Sequence, residues 1–327
     1  MNFADVEGLR QTCLEKRNKV RRRAVIVTLI AYCIFIMIAI FLNRDFIAHL
    51  INSIDSASSR EVVFVLIPIV IAIVISVMIP AIIIAAVVSF SVKDEHEKYK
   101  KAYKAYFVEE QLRKYFADIK YSHTSGLDRE ILRRTGMIYT GDRYSSNDLT
   151  VGRHKNVGFM QADVHIEREH TDEDGNKSYS TVFLGRYMVF EFPKKFKSRL
   201  MLSHSNSPTR KRSEDGGKFL TMIETESVDF DKTFVTYAED GMEALYILTP
   251  DFMERVQKLS QEHNNQVSFY FYDNMMIIGV NDGNDIFEAP SLERPIDEKV
   301  EMQRVNGEMT LIINIIDGLK LDRKTRE

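Results

Sequence analysis

Hydrophobic positions dominate Ala24–Leu42 and again Val62–Phe90, and neither stretch holds an Asp, Glu, Lys, Arg or His. As helices they would reach about 28 Å and about 43 Å, against a bilayer hydrocarbon core of roughly 30 Å. The pattern predicts two membrane spans. The longer one must tilt or kink, and Pro68 and Pro80 lie inside it. After Phe90 the chain becomes charged and helical in period. Within Asp94–Lys120, the residues Tyr99, Tyr103, Phe107, Leu112, Tyr115, Phe116 and Ile119 recur mostly at three, four or five, which predicts one juxtamembrane helix. A short helix, Asp128–Thr135, is expected to stop at Gly136.

From about Asn147 the period becomes twofold. In Met160–Ile166 the even positions are apolar and the odd ones polar. Ser178–Phe192 repeats this, with Val182, Leu184, Met188, Phe190 and Phe192 expected on one side. Turn residues Thr171–Asn176 join the two as a long antiparallel hairpin. Further strands are expected at Arg199–His204, Lys218–Glu224 and Phe234–Ala238. Thr249-Pro250 predicts a capped helix running to about His263. Val267–Tyr272 and Met275–Val280 read as a second hairpin around Asp273-Asn274. A last helix is predicted over Pro295–Leu319, where Val305, Met309, Ile312, Ile316 and Leu319 form a stripe. Acidic Asp297 and Glu298 stand at its start and Lys320, Arg323 and Lys324 follow its end, as the helix dipole favours.

Strands in succession, without alternating helices, predict an α+β class: a two-span helical hairpin followed by a mainly antiparallel sheet domain with flanking helices. The expected divisions are a basic segment 1–23, spans 24–42 and 62–90 around a short external loop 43–61, a juxtamembrane helix 91–120, the α+β domain 121–290, and a C-terminal helix and tail 291–327. Basic residues set the orientation. Arg10, Lys16, Arg17, Lys19, Arg21, Arg22 and Arg23 precede the first span, and Lys93, Lys98, Lys100, Lys101 and Lys104 follow the second. The connecting loop has only Arg44 and Arg60, so both ends and the large domain are expected inside. The first span ends in Phe41-Leu42-Asn43 rather than a small-residue cleavage pattern, which disfavours a removable signal.

Charge and motifs exclude more than they assign. The net charge of −3 gives no global basic field for nucleic acid. Cys13 and Cys33 precede the large domain, so no disulfide staples it. No phosphate-binding loop, dinucleotide fingerprint or zinc-protease helix is present. Asp172, Asp174 and Asn176 start like a calcium loop, but Lys177 and Phe183 stand where glycine and glutamate are required. His154, His165 and His170 match no zinc spacing. No metal, cofactor or catalytic residue is therefore expected. The run Lys16, Arg17, Lys19, Arg21, Arg22 and Arg23 is a candidate for contact with anionic headgroups, though simple retention at the inner face is the preferred explanation.

Several blocks together carry a family likeness. They are Gly126–Glu130 leading to Thr135-Gly136; Asp142-Arg143-Tyr144 with Asp148-Leu149 and Gly152; Val182–Arg186 with Phe190-Glu191-Phe192; Glu226–Phe230 with Phe234; and Ala244–Arg255. In this order, over roughly residues 94–290, the chain resembles an uncharacterised bacterial membrane-protein family, domain-of-unknown-function family 3137. The resemblance implies a domain anchored at the bacterial inner membrane and brings no catalytic residues with it. The expected function is a membrane-anchored interaction or scaffold module. Its expected contacts are the bilayer, a protein partner and a second copy of the chain, with nucleic acid not expected. The alternatives are an enzyme with an unrecognised site and an accessory subunit of a transporter. Transport is disfavoured because neither apolar segment carries an ionisable group.

The topology is open to a direct measurement. Single cysteines at Ser56 and Ser213, in a background without cysteine, should differ in reactivity toward a membrane-impermeant thiol reagent on spheroplasts. Ser56 should label and Ser213 should not; the reverse would overturn the assigned orientation.

Overall fold

The computed structural model describes residues 2–42, 59–138, 140–204, 220–264 and 266–321, without the side chains of 35–36, 38–42, 59–77 and 192–194. The chain forms two compact units. One comprises Met1–Ala102 with Pro290–Ile296, the other Tyr103–Ala289 with Asp297–Glu327.

The first unit is built on two long helices, α1 (Phe3–Leu42) and α2 (Ser59–Tyr103). Near the start of α1, Val6 and Cys13 are buried, as are Val92 and Tyr99 late in α2. Lys16 pairs with Glu95 at 2.7 Å. The segment Pro290–Ile296 packs there too: Tyr99 donates to the Pro290 carbonyl at 3.0 Å, Arg10 donates to the Leu292 carbonyl, and Arg17 pairs with Glu293 at 2.7 Å. Beyond this end most of the described apolar side chains are exposed, among them Ile26, Val27, Leu29, Ile82 and Phe90. Among the described residues no helix is long and apolar enough to cross a membrane. Side chains 38–77, which include much of the second apolar segment, lie outside that set, as does most of the expected loop 43–61.

The second unit is α+β with a large antiparallel sheet. Its elements are a π-helical turn (Lys104–Glu109), α3 (Glu110–Tyr115), β1 (Ala117–Ser122), α4 (Arg129–Thr135), β2 (Arg143–His154), β3 (Val157–Thr171), β4 (Lys177–His204) and β5 (Thr221–Ile223). Then come α5 (Val228–Thr233), β6 (Phe234–Ala238), α6 (Gly241–Ile247), α7 (Pro250–Glu262), β7 (Val267–Val280) and α8 (Glu298–Gly318). The sheet runs β1-β2-β3-β4-β6-β5, with β7 on the other edge of β4, and every pairing is antiparallel. Local signals placed the helix ends well. Asp128 caps α4 by accepting from Glu130 N, and Gly136 closes it at φ 60°. Thr249 caps α7 with Pro250 in its first turn. The stripe Val305, Met309, Ile312, Ile316 and Leu319 is buried.

Four expectations are corrected. The juxtamembrane helix ends at Tyr115, and Ala117–Ser122 is a strand paired with β2. Before that, the π-helical turn explains the five-residue step in the aromatic stripe: one extra residue per turn keeps Phe107 and Leu112 buried on the same side. Extended structure begins at Arg143, the start of β2, rather than near Asn147.

The expected hairpin at Asp273-Asn274 is absent. β7 is one continuous strand, because both of its apolar halves pair with β4 instead of each other: Phe269–Phe271 with Leu202–Leu200 and Met275–Val280 with Glu191–Arg186. Asp273, at φ 51°, lies in the irregular stretch between them. Finally, the one-sided pattern expected of Ser178–Phe192 does not hold. Phe183 is buried while Val182 and Leu184 are half-buried, since the β3–β4 register shifts between Ile166 and Glu167. Near this shift Gly185 lets the strands close: a Cβ there would meet the Val280 carbonyl oxygen at 2.0 Å.

Both faces of the central sheet are covered. On one, Ala162, Val164, Ile166, Phe183, Tyr187 and Val189 join Leu132, Met137 and Ile138 in the core. On the other, Gln161, Met188, Phe190 and Ile278 are also buried. Within Met160–Ile166 the odd positions are polar as expected, but Gln161 and Asp163 are buried while His165 is half-buried.

The fragment 94–327 should therefore be monodisperse without detergent and unfold cooperatively. Val164 is only 1% exposed, so Val164→Asp buries a charge without a partner. It should cost about 3 kcal/mol or more in urea unfolding; an equally stable variant would show the register to be wrong.

Candidate functional site

The second sheet face gathers charge where a core would ordinarily be apolar. Its centre is Asp148, fully buried on β2. The β2–β3 register slips between Asn147 and Thr150, and Asp148 takes φ 57° there, a conformation asparagine and aspartate tolerate better than most residues. Lys104 Nζ and Asn147 Nδ2 donate to its Oδ2 at 2.6 and 2.7 Å, and the Tyr121 hydroxyl donates to Oδ1. Burial, then the charge of Asp148, raises the Tyr121 pKa.

Asp163 on β3 lies directly across from Arg186 on β4. It is 5% exposed, and among the described residues no donor reaches its Oδ2. Carboxylate oxygens of Asp148, Asp163 and Asp285 lie within 4.8 Å of one another. Burial first, then the charges of Asp285 and Asp148, pushes the Asp163 carboxyl well above its ordinary range. Burial also raises Asp285, offset by a hydrogen bond with Asp163. The two behave as a coupled pair that favours one shared proton over two charges. Asp285 sits on the exposed loop after β7 and supplies the open side of the cluster.

Arg186 is itself buried and pairs with Asp282 at 2.6 Å and with Glu308 of α8. Arg304 of α8 donates to Glu301 and to the Tyr103 hydroxyl, each at 2.8 Å, and to the Ile286 carbonyl. That last bond holds the loop beside Asp285. Sequence reading gave no site role to these residues; Lys104 counted only among the basic residues after the second apolar segment, and Tyr103 only in the aromatic stripe. Asp148 and Arg186 do stand inside two of the blocks that carried the family likeness, and Asp163 marks a polar position in an apolar strand.

The first sheet face carries a groove of about 670 Å³. Its floor comes from Met160, Val189, Tyr270 and Ile277, and Arg134 and Lys197 stand among its lining. Arg199 also lines it and is paired with Glu239 at 3.1 Å. The size is typical of ligand sites.

The candidates drawn from the sequence lie elsewhere. Lys16, Arg17, Lys19, Arg21, Arg22 and Arg23 all fall on α1; the first two are ion-paired within their unit, and the other four are exposed. The histidines are not brought together: His165 contacts Thr181, His170 contacts Ser180, and His154 lies 3.9 Å from Asp317.

The carboxyl pair sets a pH dependence. A carboxyl whose folded pKa is raised contributes stability that is full below its unfolded value, about pH 4, and lost as pH rises through the folded value. Asp163→Asn removes that loss. With chelator present, the variant should gain on the native chain between about pH 4 and about pH 7 in urea unfolding. A native chain that gains on the variant over this interval would show Asp163 to be ionised and well paired.

A family model described as protein of unknown function (DUF3137) matches residues 181–321, from within β4 through α8. The blocks between Gly126 and Gly152 lie outside the match. No curated protein matches the chain. Among solved structures, the crystal structure of the mycobacterial trehalose monomycolate transport factor A, TtfA, aligns with 67% of this chain and 95% of its own, at 7% identity and a TM-score of 0.36. Through residues 181–321, less than half of its length, the chain is similar to the DUF3137 family.

Proposed function

We propose that this chain is a two-span protein of the bacterial inner membrane whose α+β unit is a non-enzymatic binding module on the cytoplasmic side. The observation that carries the anchor is the row of exposed apolar side chains on charge-free helix: Val27 is 65% exposed, Ile82 62% and Phe90 85%. Water-facing proteins rarely leave so continuous an apolar surface uncovered, whereas lipid covers it at no cost. Basic residues at the inner ends of both segments supply the orientation.

The groove supports binding rather than catalysis. Its lining is largely apolar, and of its polar groups the Thr135 hydroxyl contacts that of Tyr187 and Arg199 pairs with Glu239. Arg134 and Lys197 suit a partner segment that is apolar in the middle and acidic at its flank. The occupant is thus a protein segment, and lipid headgroups are the competing outcome.

A photo-crosslinking residue at Tyr272, in the groove, tests this in native membranes, with one at exposed Met242 as control. Tyr272 should give a discrete protein adduct and Met242 should not. One exposed charge pair is worth up to about 1 kcal/mol, so Lys197→Glu should cut the adduct about fivefold. The adduct should survive replacement of both apolar segments by unrelated spans of the same orientation. Lipid adducts alone, or none, would overturn the protein-partner reading.

A further inference from the structure

The cluster on the second sheet face holds more negative charge than its neighbours balance. Lys104 is spent on Asp148 at 2.6 Å and lies 3.9 Å from Glu288. Arg186 is held by Asp282 and Glu308. What remains is Asp163 Oδ2, buried, with no donor in reach among the described residues, on a side chain whose carboxylate lies within 4.8 Å of those of Asp148 and Asp285. Such an oxygen is costly to bury unless a proton or a cation lies against it.

The spacing admits one ion. Oxygens on opposite sides of a calcium ion are about 5 Å apart and those on adjacent sides about 3.4 Å, given metal–oxygen distances near 2.4 Å. The three carboxylates, within 4.8 Å of one another, fall inside that limit. All the donors are oxygen, which selects a hard cation and disfavours zinc or copper. Asp285 lies on the exposed loop, so an ion can enter with part of its water shell. The bond from Arg304 to the Ile286 carbonyl keeps that loop in place before any ion arrives.

We propose that Asp148, Asp163 and Asp285 bind one partly hydrated divalent cation of the calcium or magnesium class. Lys104, Asn147 and Tyr121 position Asp148, and the ion ties the loop after β7 to β2 and β3. The site lies on the sheet face opposite the groove, so it stands or falls independently of the binding-module reading.

The test uses the full chain in detergent, stripped with chelator and returned to chelator-free buffer near neutral pH. Calcium or magnesium chloride at about 1 mM, the weak end of calcium-site affinities, should raise the thermal unfolding midpoint. Terbium, a calcium substitute, should emit under tyrosine excitation, because Tyr121 touches Asp148 and the chain has no tryptophan. Calcium should displace it. Asp285→Asn, a change on an exposed loop that leaves the fold intact, should weaken terbium binding at least about tenfold. Asp163→Asn should abolish the response to either chloride. Two results would overturn the proposal. If neither ion shifts the midpoint and terbium stays dark, a shared proton alone serves the pair. If emission persists undiminished in Asp285→Asn, the ion binds elsewhere.

Discussion

A strand of 28 residues, β4, has two long edges of backbone donors and acceptors, and nearly everything in the larger unit follows from satisfying them. One edge is taken first by β3 and then by β6; the other is taken along much of its length by β7. That demand pulls the two apolar halves of β7 into one line. It also places Pro193, which has no donor to offer, in the irregular stretch of pairing between Glu191 and Phe196. Arg186 comes to lie between Asp163 on one side and Val280 on the other.

Because β4 is central, both of its faces must be covered, and the two coverings differ in character. One carries an apolar core and the groove beside α4. The other carries Asp148, Asp163, Arg186 and Glu308 under α8. Buried ionic networks are seldom the most stabilising choice available, since apolar side chains of similar volume avoid the desolvation cost. Their presence at the centre of a large sheet is a reason to look for a ligand there.

The local parts of this fold were legible. Asp128, Thr249 and Asp297 each cap the helix that follows them, and the caps act on backbone donors two or three residues away. The stripe of α8 is likewise a matter of spacing within one helix. Ala117–Ser122 was not legible, because aromatic spacing continues smoothly from helix into strand and only pairing with β2 separates them. The Asp273-Asn274 dipeptide has turn chemistry in either arrangement; competition for the edge of β4 made it a bulge.

By itself the sequence determined the charge-free apolar segments, the direction their flanking basic residues favour, the antiparallel α+β class and the starts of α4 and α7. Each depends on residues that act on their own backbone or on solvent. Tertiary structure alone decided that Gln161 and Asp163 of β3 are buried. It brought together carboxylates from β2, β3 and the loop after β7, and left an apolar groove beside α4. Alternation along a strand tells the two faces apart but not which of them meets water. A helix more than a hundred residues later, reaching Arg186 through Glu308, settled that question.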